Sequence, residues 1–172
     1  MKNKIIVALS LSLVLCFSFV SADFQSLQEL RYKKERIKII KESVSYLILF
    51  SEIRGGDQSV IATLKNMKVM AENIEEQVEK KIENKMRNFV ECLKEEDLII
   101  YGFEGSSPSD DLMDQFGDYD FLDLIYVECS DEGERCLKEM KNFYVPEVQI
   151  KGEIYQGEEK IESLGNATKC LD

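Results

Sequence analysis

"VPEVQIKGEIYQG" (residues 145–157) alternates apolar and polar residues on either side of Lys151-Gly152. That alternation predicts two short strands, and the Lys-Gly pair between them predicts a tight hairpin turn over 147–157. Working back from this hairpin, "DLIIYGF" (97–103) is a short apolar run bounded by Gly105 and reads as a buried strand. Asp110 to Phe116 follows as a helix with Leu112, Met113 and Phe116 inward. "FLDLIYVEC" (121–129) reads as a second strand, Glu134 to Asn142 as a short helix and Glu158 to Leu164 as a last one. The order is βαβα, then ββα. Such an order implies a mixed sheet covered by helices, an arrangement between α/β and α+β.

Upstream the period changes from two to about 3.6. Phe24, Leu27, Leu30, Ile37, Ile40, Val44 and Leu47 recur at three- and four-residue steps, weakened where Lys33, Lys34, Glu35 and Arg36 intervene. Gly55-Gly56 ends this helix, and Asp57 or Ser59 is placed to cap the next. From Ile61 to Leu93 the same spacing runs unbroken, which predicts one helix of up to about 38 residues, roughly 57 Å long. Two helices joined by a short Gly-Gly turn make an antiparallel hairpin of coiled-coil character over 23–95. Its apolar stripe serves as a structural arm or as an oligomerisation surface.

The first 22 residues read as a cleaved signal peptide. Lys2 and Lys4 precede an apolar run from Ile5 to Val20, and Val20-Ser21-Ala22 supplies small residues for a cut after Ala22. The run is short for a spanning helix, although an uncleaved N-terminal anchor is the alternative. Cys16 lies inside it. The chain carries a net charge of −11, and removing the leader takes two lysines and no acid, leaving −13. Such a charge disfavours nucleic acid and anionic membranes as partners. With no histidine, Ser-His-Asp and Cys-His catalysis and histidine-ligated metals are excluded.

The C-terminal segments carry a resemblance. The βαβα–ββα order, Pro146 ahead of the 147–157 hairpin, and the strand with acidic loop "IYVECSDEGE" (125–134) resemble the thioredoxin-like superfamily. The similarity is to the thioredoxin-like domain fused to vitamin K epoxide reductase homologues in prokaryotes and plants. In that comparison "IYGFEGSSPSDDLMDQFG" (100–117) falls on the strand, redox motif and helix, with Tyr101-Gly102 and Phe116-Gly117 matching at the ends. The resemblance covers about 75 of the 172 residues, does not extend to the helical hairpin, and implies a thioredoxin-like domain over 96–172. It implies that Pro146 is a cis-proline, and that Val145 and Glu147 beside it pair with an extended peptide or protein. Where the family has Trp-Cys-x-x-Cys, this chain has Gly105-Ser106-Ser107-Pro108-Ser109. Ser106 and Ser109 stand where the two cysteines belong, and a serine neither forms a thiolate at neutral pH nor a disulfide. Dithiol chemistry at this motif is therefore lost. The chain is then a non-catalytic relative, or a Cys-to-Ser form of a Cys-Ser-Pro-Cys enzyme; the intact leader favours the first. Without any resemblance, Ser106 or Ser109 reads as a helix cap.

Four cysteines lie beyond the leader: Cys92, Cys129, Cys136 and Cys170. An even number in an exported chain favours disulfides, with three connectivities open. Cys129 and Cys136 either pin the loop between them or form a displaced redox pair of an oxidoreductase or isomerase. Cys92 and Cys170 would close the C-terminal domain. The acidic groups Asp110, Asp111, Asp114 and Asp118, Asp120, Asp123 lack calcium-loop spacing, so neither a metal nor another cofactor is expected. Asn166-Ala167-Thr168 is a glycosylation sequon. The sequence reading is thus an exported, thioredoxin-like binding or structural module, with the oxidoreductase as its rival.

Overall fold

The computed structural model describes residues 26–142 and 144–170. The expected leader, its cleavage site, Cys16 and Phe24 lie outside the described residues.

Helix α1 spans Leu27–Ile53, opened by Ser26, whose hydroxyl accepts the Glu29 N–H. Helix α2 spans Gln58–Glu95 and is capped by Asp57, whose carboxylate accepts the Ser59 N–H at 2.8 Å. Between them Gly55 adopts φ +63°, a left-handed conformation that glycine takes without a Cβ penalty. Leu30, Ile37 and Val44 are buried on α1, against Ile61, Ala71 and Ile82 on α2. The charged stretch in the middle of α1 does not break it; Lys34 within the stretch pairs with Glu79 across the hairpin, and Lys41 beyond it pairs with Glu75. Leu47, expected inward, is on the exposed side.

The sheet is mixed, with order β2-β1-β3-β4: β1 (Leu98–Gly102), β2 (Tyr126–Glu128), β3 (Glu147–Ile150) and β4 (Glu153–Ile154). β1 runs parallel to β2 and antiparallel to β3, which pairs antiparallel with β4. Helices α3 (Ser107–Phe116), α4 (Gly133–Glu139) and α5 (Ile161–Thr168) complete a helical hairpin followed by an α+β unit. At the β3–β4 turn Lys151 has φ +53° and Gly152 φ +75°, the double positive φ of a type I′ turn.

Alternation along β1 sorts the core into two faces. Leu98 and Ile100 join Met86, Val90 and Leu93 of α2, Leu112 and Phe116 of α3, and Leu164 of α5. Ile99 and Tyr101 turn the other way, to Val127, Cys136, Cys129 and Met140. The last turns of α2 therefore belong to the same core as the sheet. A disulfide between Cys92 and Cys170 ties the end of α2 to the chain's end.

Several boundaries differ from those the sequence suggests. The expected strand 121–129 is mostly a 3₁₀ turn, Asp120–Leu124, with only Tyr126–Glu128 extended. Phe121, Leu122 and Ile125 all enter one core, and that spacing suits a helical turn rather than alternation. Helix α4 stops at Glu139 rather than 142, because the carboxylate of Glu147 accepts the N–H groups of Lys141 and Asn142. Helix α5 is displaced to 161–168, where Ile161, Leu164, Gly165 and Thr168 form its buried face. Helix α3 begins three residues early, with Pro108 in its first turn, where a missing N–H costs nothing.

Candidate functional site

β1 and β2 end, and β3 begins, at one end of the sheet. There the register sets Gly102 against Glu128 and Tyr101 against Glu147. Continued by two residues, the second register brings Phe103 level with Val145. The loop 103–106 leaves β1 here and feeds α3, so the serine motif, the Val145-Pro146-Glu147 segment and Cys129 share this end. The Val145–Pro146 peptide is cis.

Ser106 occupies the N-cap position of α3, yet its side chain makes no capping hydrogen bond; its carbonyl accepts the Asp110 N–H at 2.9 Å. The capping role expected of these serines is not what the geometry gives. Ser109, one turn in, is fully buried, and its hydroxyl accepts the N–H of Phe103 at 3.4 Å, outside the helix. It holds the loop against α3 rather than capping the helix. The motif thus has one half-buried hydroxyl at the helix start and one fully enclosed behind it.

Beneath the loop lies a carboxylate that the sequence offers only as one of the acidic neighbours of Cys129. Glu128 accepts the N–H of Glu104 at 3.1 Å, the N–H and hydroxyl of Ser130 at 2.9 Å, and the hydroxyl of Tyr126 at 3.1 Å. Burial alone would raise its pKa, but the hydrogen bonds from Ser130, Glu104 and Tyr126 outweigh burial and hold it below the usual carboxylate value. Burial first, and then the Glu128 charge, push the Tyr126 hydroxyl well above tyrosine's ordinary range, so it stays a donor. Gly102 makes room for this tyrosine: a Cβ there would lie 2.3 Å from the Tyr126 hydroxyl oxygen. A glutamate at a strand end has no pattern in sequence that separates it from the acidic surface around it.

Glu147, expected beside a peptide, is 3% exposed, and its carboxylate is occupied by Lys141, Asn142 and Gln149. Its side chain thus builds the turn that leads into Pro146. Val145 is half-buried, and exposed Phe103 and Tyr144 supply apolar surface at this end.

Cys129 and Cys136 form a second disulfide, across the loop "SDEGER". Cys136 is buried against Tyr101 and Val127, and Cys129 is half-buried with its sulfur 3.8 Å from Met140 Sδ. On this face the Tyr101 hydroxyl donates to Glu139 at 3.0 Å; burial, then that carboxylate, push its pKa up to about 12.

Among the described residues, no three His, Cys, Asp or Glu side chains converge as a metal site, and no helix is long and apolar enough to cross a membrane. The sequon lies on α5, with Asn166 exposed but Thr168 buried and its hydroxyl donating to Leu164 and Gly165 carbonyls. Comparison with protein-family models, curated proteins and solved structures finds no match to this chain.

Proposed function

We propose that the C-terminal unit is a thioredoxin-like domain that has lost dithiol chemistry at its usual motif and binds an extended peptide or protein segment outside the cytoplasm. The observation that carries this reading is the junction after β1. Ser106 stands at the first position of a helix N-terminus and Ser109 is sealed one turn behind it. A cysteine at the first position would gain thiolate character from the helix dipole, whereas a hydroxyl gains no redox function there. The element order β1-α3-β2-α4-β3-β4-α5 supports the resemblance, being the βαβα–ββα order it requires. Two disulfides support a location outside the cytoplasm. An incoming strand beside Val145 would meet the apolar surface of Phe103 and Tyr144.

The test is a pair of measurements on one set of proteins. The wild-type chain is expected to leave insulin disulfides intact, and the Ser106→Cys/Ser109→Cys variant to reduce them with dithiothreitol as electron source. Amide shifts at Val145 and Phe103 are expected on titration with extended peptides. Insulin reduction by the wild type, lost on removing Cys129 and Cys136, would replace this reading with an oxidoreductase using that pair.

A further inference from the structure

Helix α1 carries a second apolar stripe that the hairpin does not use. Tyr32, Ile39, Tyr46 and Ile53 are spaced at intervals of seven residues and are 65%, 60%, 72% and 75% exposed. At 100° per residue they lie about 180° from Leu30, Ile37 and Val44, the stripe buried against α2. Exposed Leu49 and Phe50 widen it towards the hairpin tip. A seven-residue apolar repeat is the seam of a left-handed helix pair, and here both faces of one helix carry such a seam.

We propose that this outer seam pairs with the same seam of a second copy of the chain, antiparallel, about a two-fold axis near residues 42 and 43. Two features select the occupant and its direction. The first is size. The stripe reads Tyr, Ile, Tyr, Ile, so antiparallel pairing sets Tyr32 against the other copy's Ile53 and Ile39 against its Tyr46. Parallel pairing would stack tyrosine on tyrosine and leave gaps between isoleucines.

The second feature is charge. Residues 27–41 hold six basic and two acidic side chains, whereas 42–53 hold two acidic and no basic ones. Parallel pairing would superpose the basic halves; the antiparallel arrangement sets basic against acidic. Area agrees as well. An aromatic side chain buries roughly 150–250 Å². Three aromatic and three aliphatic residues, about half to three-quarters exposed, thus approach the roughly 800 Å² per partner of a standard interface. The pairing stands whether or not the C-terminal unit binds peptides.

The test is sedimentation equilibrium of the purified protein, with Ile39→Glu and Tyr46→Glu as separate variants and helicity checked by circular dichroism. Both side chains are exposed, so the fold should hold. The wild type is expected at twice the single-chain mass, and each variant to weaken association by about 100-fold. A wild type that stays monomeric at high micromolar concentration overturns the proposal. So does a monomer that binds anionic vesicles through the same residues, or a dimer that both variants leave intact. Direction is read by disulfide capture. Ile39→Cys mixed with Tyr46→Cys should cross-link between the two variants and neither variant to itself. Self-cross-linking of each overturns the antiparallel register.

Discussion

Glu128 joins more of the candidate site than any other single side chain. It takes donors from the loop after β1, from the loop after β2, and from Tyr126 on its own strand. Replacing it with glutamine keeps the volume but removes the charge from four charge-assisted contacts. Glu128→Gln is expected to lose about 1–2 kcal/mol at neutral pH, read from urea midpoints at constant m. The pH dependence has a definite sign. Its folded pKa lies below the ordinary 4.5, so the unfolded chain binds the proton more readily. The contribution is complete above about pH 5 and lost as pH falls through the folded-state value. The gap between wild type and Glu128→Gln should therefore narrow below that ordinary value; a gap unchanged at acid pH would assign the stabilisation to shape alone. Glu147 is a related case on the other side of the sheet end, where a buried carboxylate supplies the partners that end α4.

Among elements, the segment from β2 through α4 is the least self-sufficient. α4 has seven residues and one buried side chain, Cys136, and no side-chain cap. A helix that short does not persist on propensity. The Cys129–Cys136 bridge compensates by closing the loop at both ends. Removing it as Cys129→Ala/Cys136→Ala is expected to cost about 2–3 kcal/mol on the chain-entropy model. Hydrogen exchange should quicken in residues 129–139 and stay unchanged in β1 and α2. Uniform quickening across the sheet would mean that this loop is part of the global folding unit rather than a local one. The hairpin shows the opposite balance. α1 and α2 are long and ion-paired across their seam, so they hold together without a covalent tie.

For the whole molecule, the Cys92–Cys170 bridge is the longer-range of the two disulfides among the described residues, with a sequence separation of 78. It fastens α2 to the end of α5 and encloses the entire sheet. The double variant Cys92→Ala/Cys170→Ala is expected to lose about 4–5 kcal/mol, measured by denaturant unfolding under non-reducing conditions. A loss below about 1 kcal/mol would mean that the shared core of α2, β1 and α3 already restricts the unfolded chain.

Much of this was written in local pattern. The hairpin turn at Lys151-Gly152, the strand at 97–103 and the two long helices follow from period-two and period-3.6 spacing, which short-range sterics impose on any chain. The Asp57 cap was legible for the same reason. The second hairpin strand, expected to run to Gly157, stops at Ile154. What only tertiary structure decided were the places where a side chain serves a distant partner. Residues 120–124 coil because three neighbours must enter one core, α4 ends where Glu147 takes its amides, and Ser109 turns from its own helix to Phe103. Which cysteines meet was equally undecided by the chain alone: of three pairings, the fold brings together 129 with 136 and 92 with 170. Periodicity reports which face of an element is buried, whereas partners across the sheet exist only once the elements have packed.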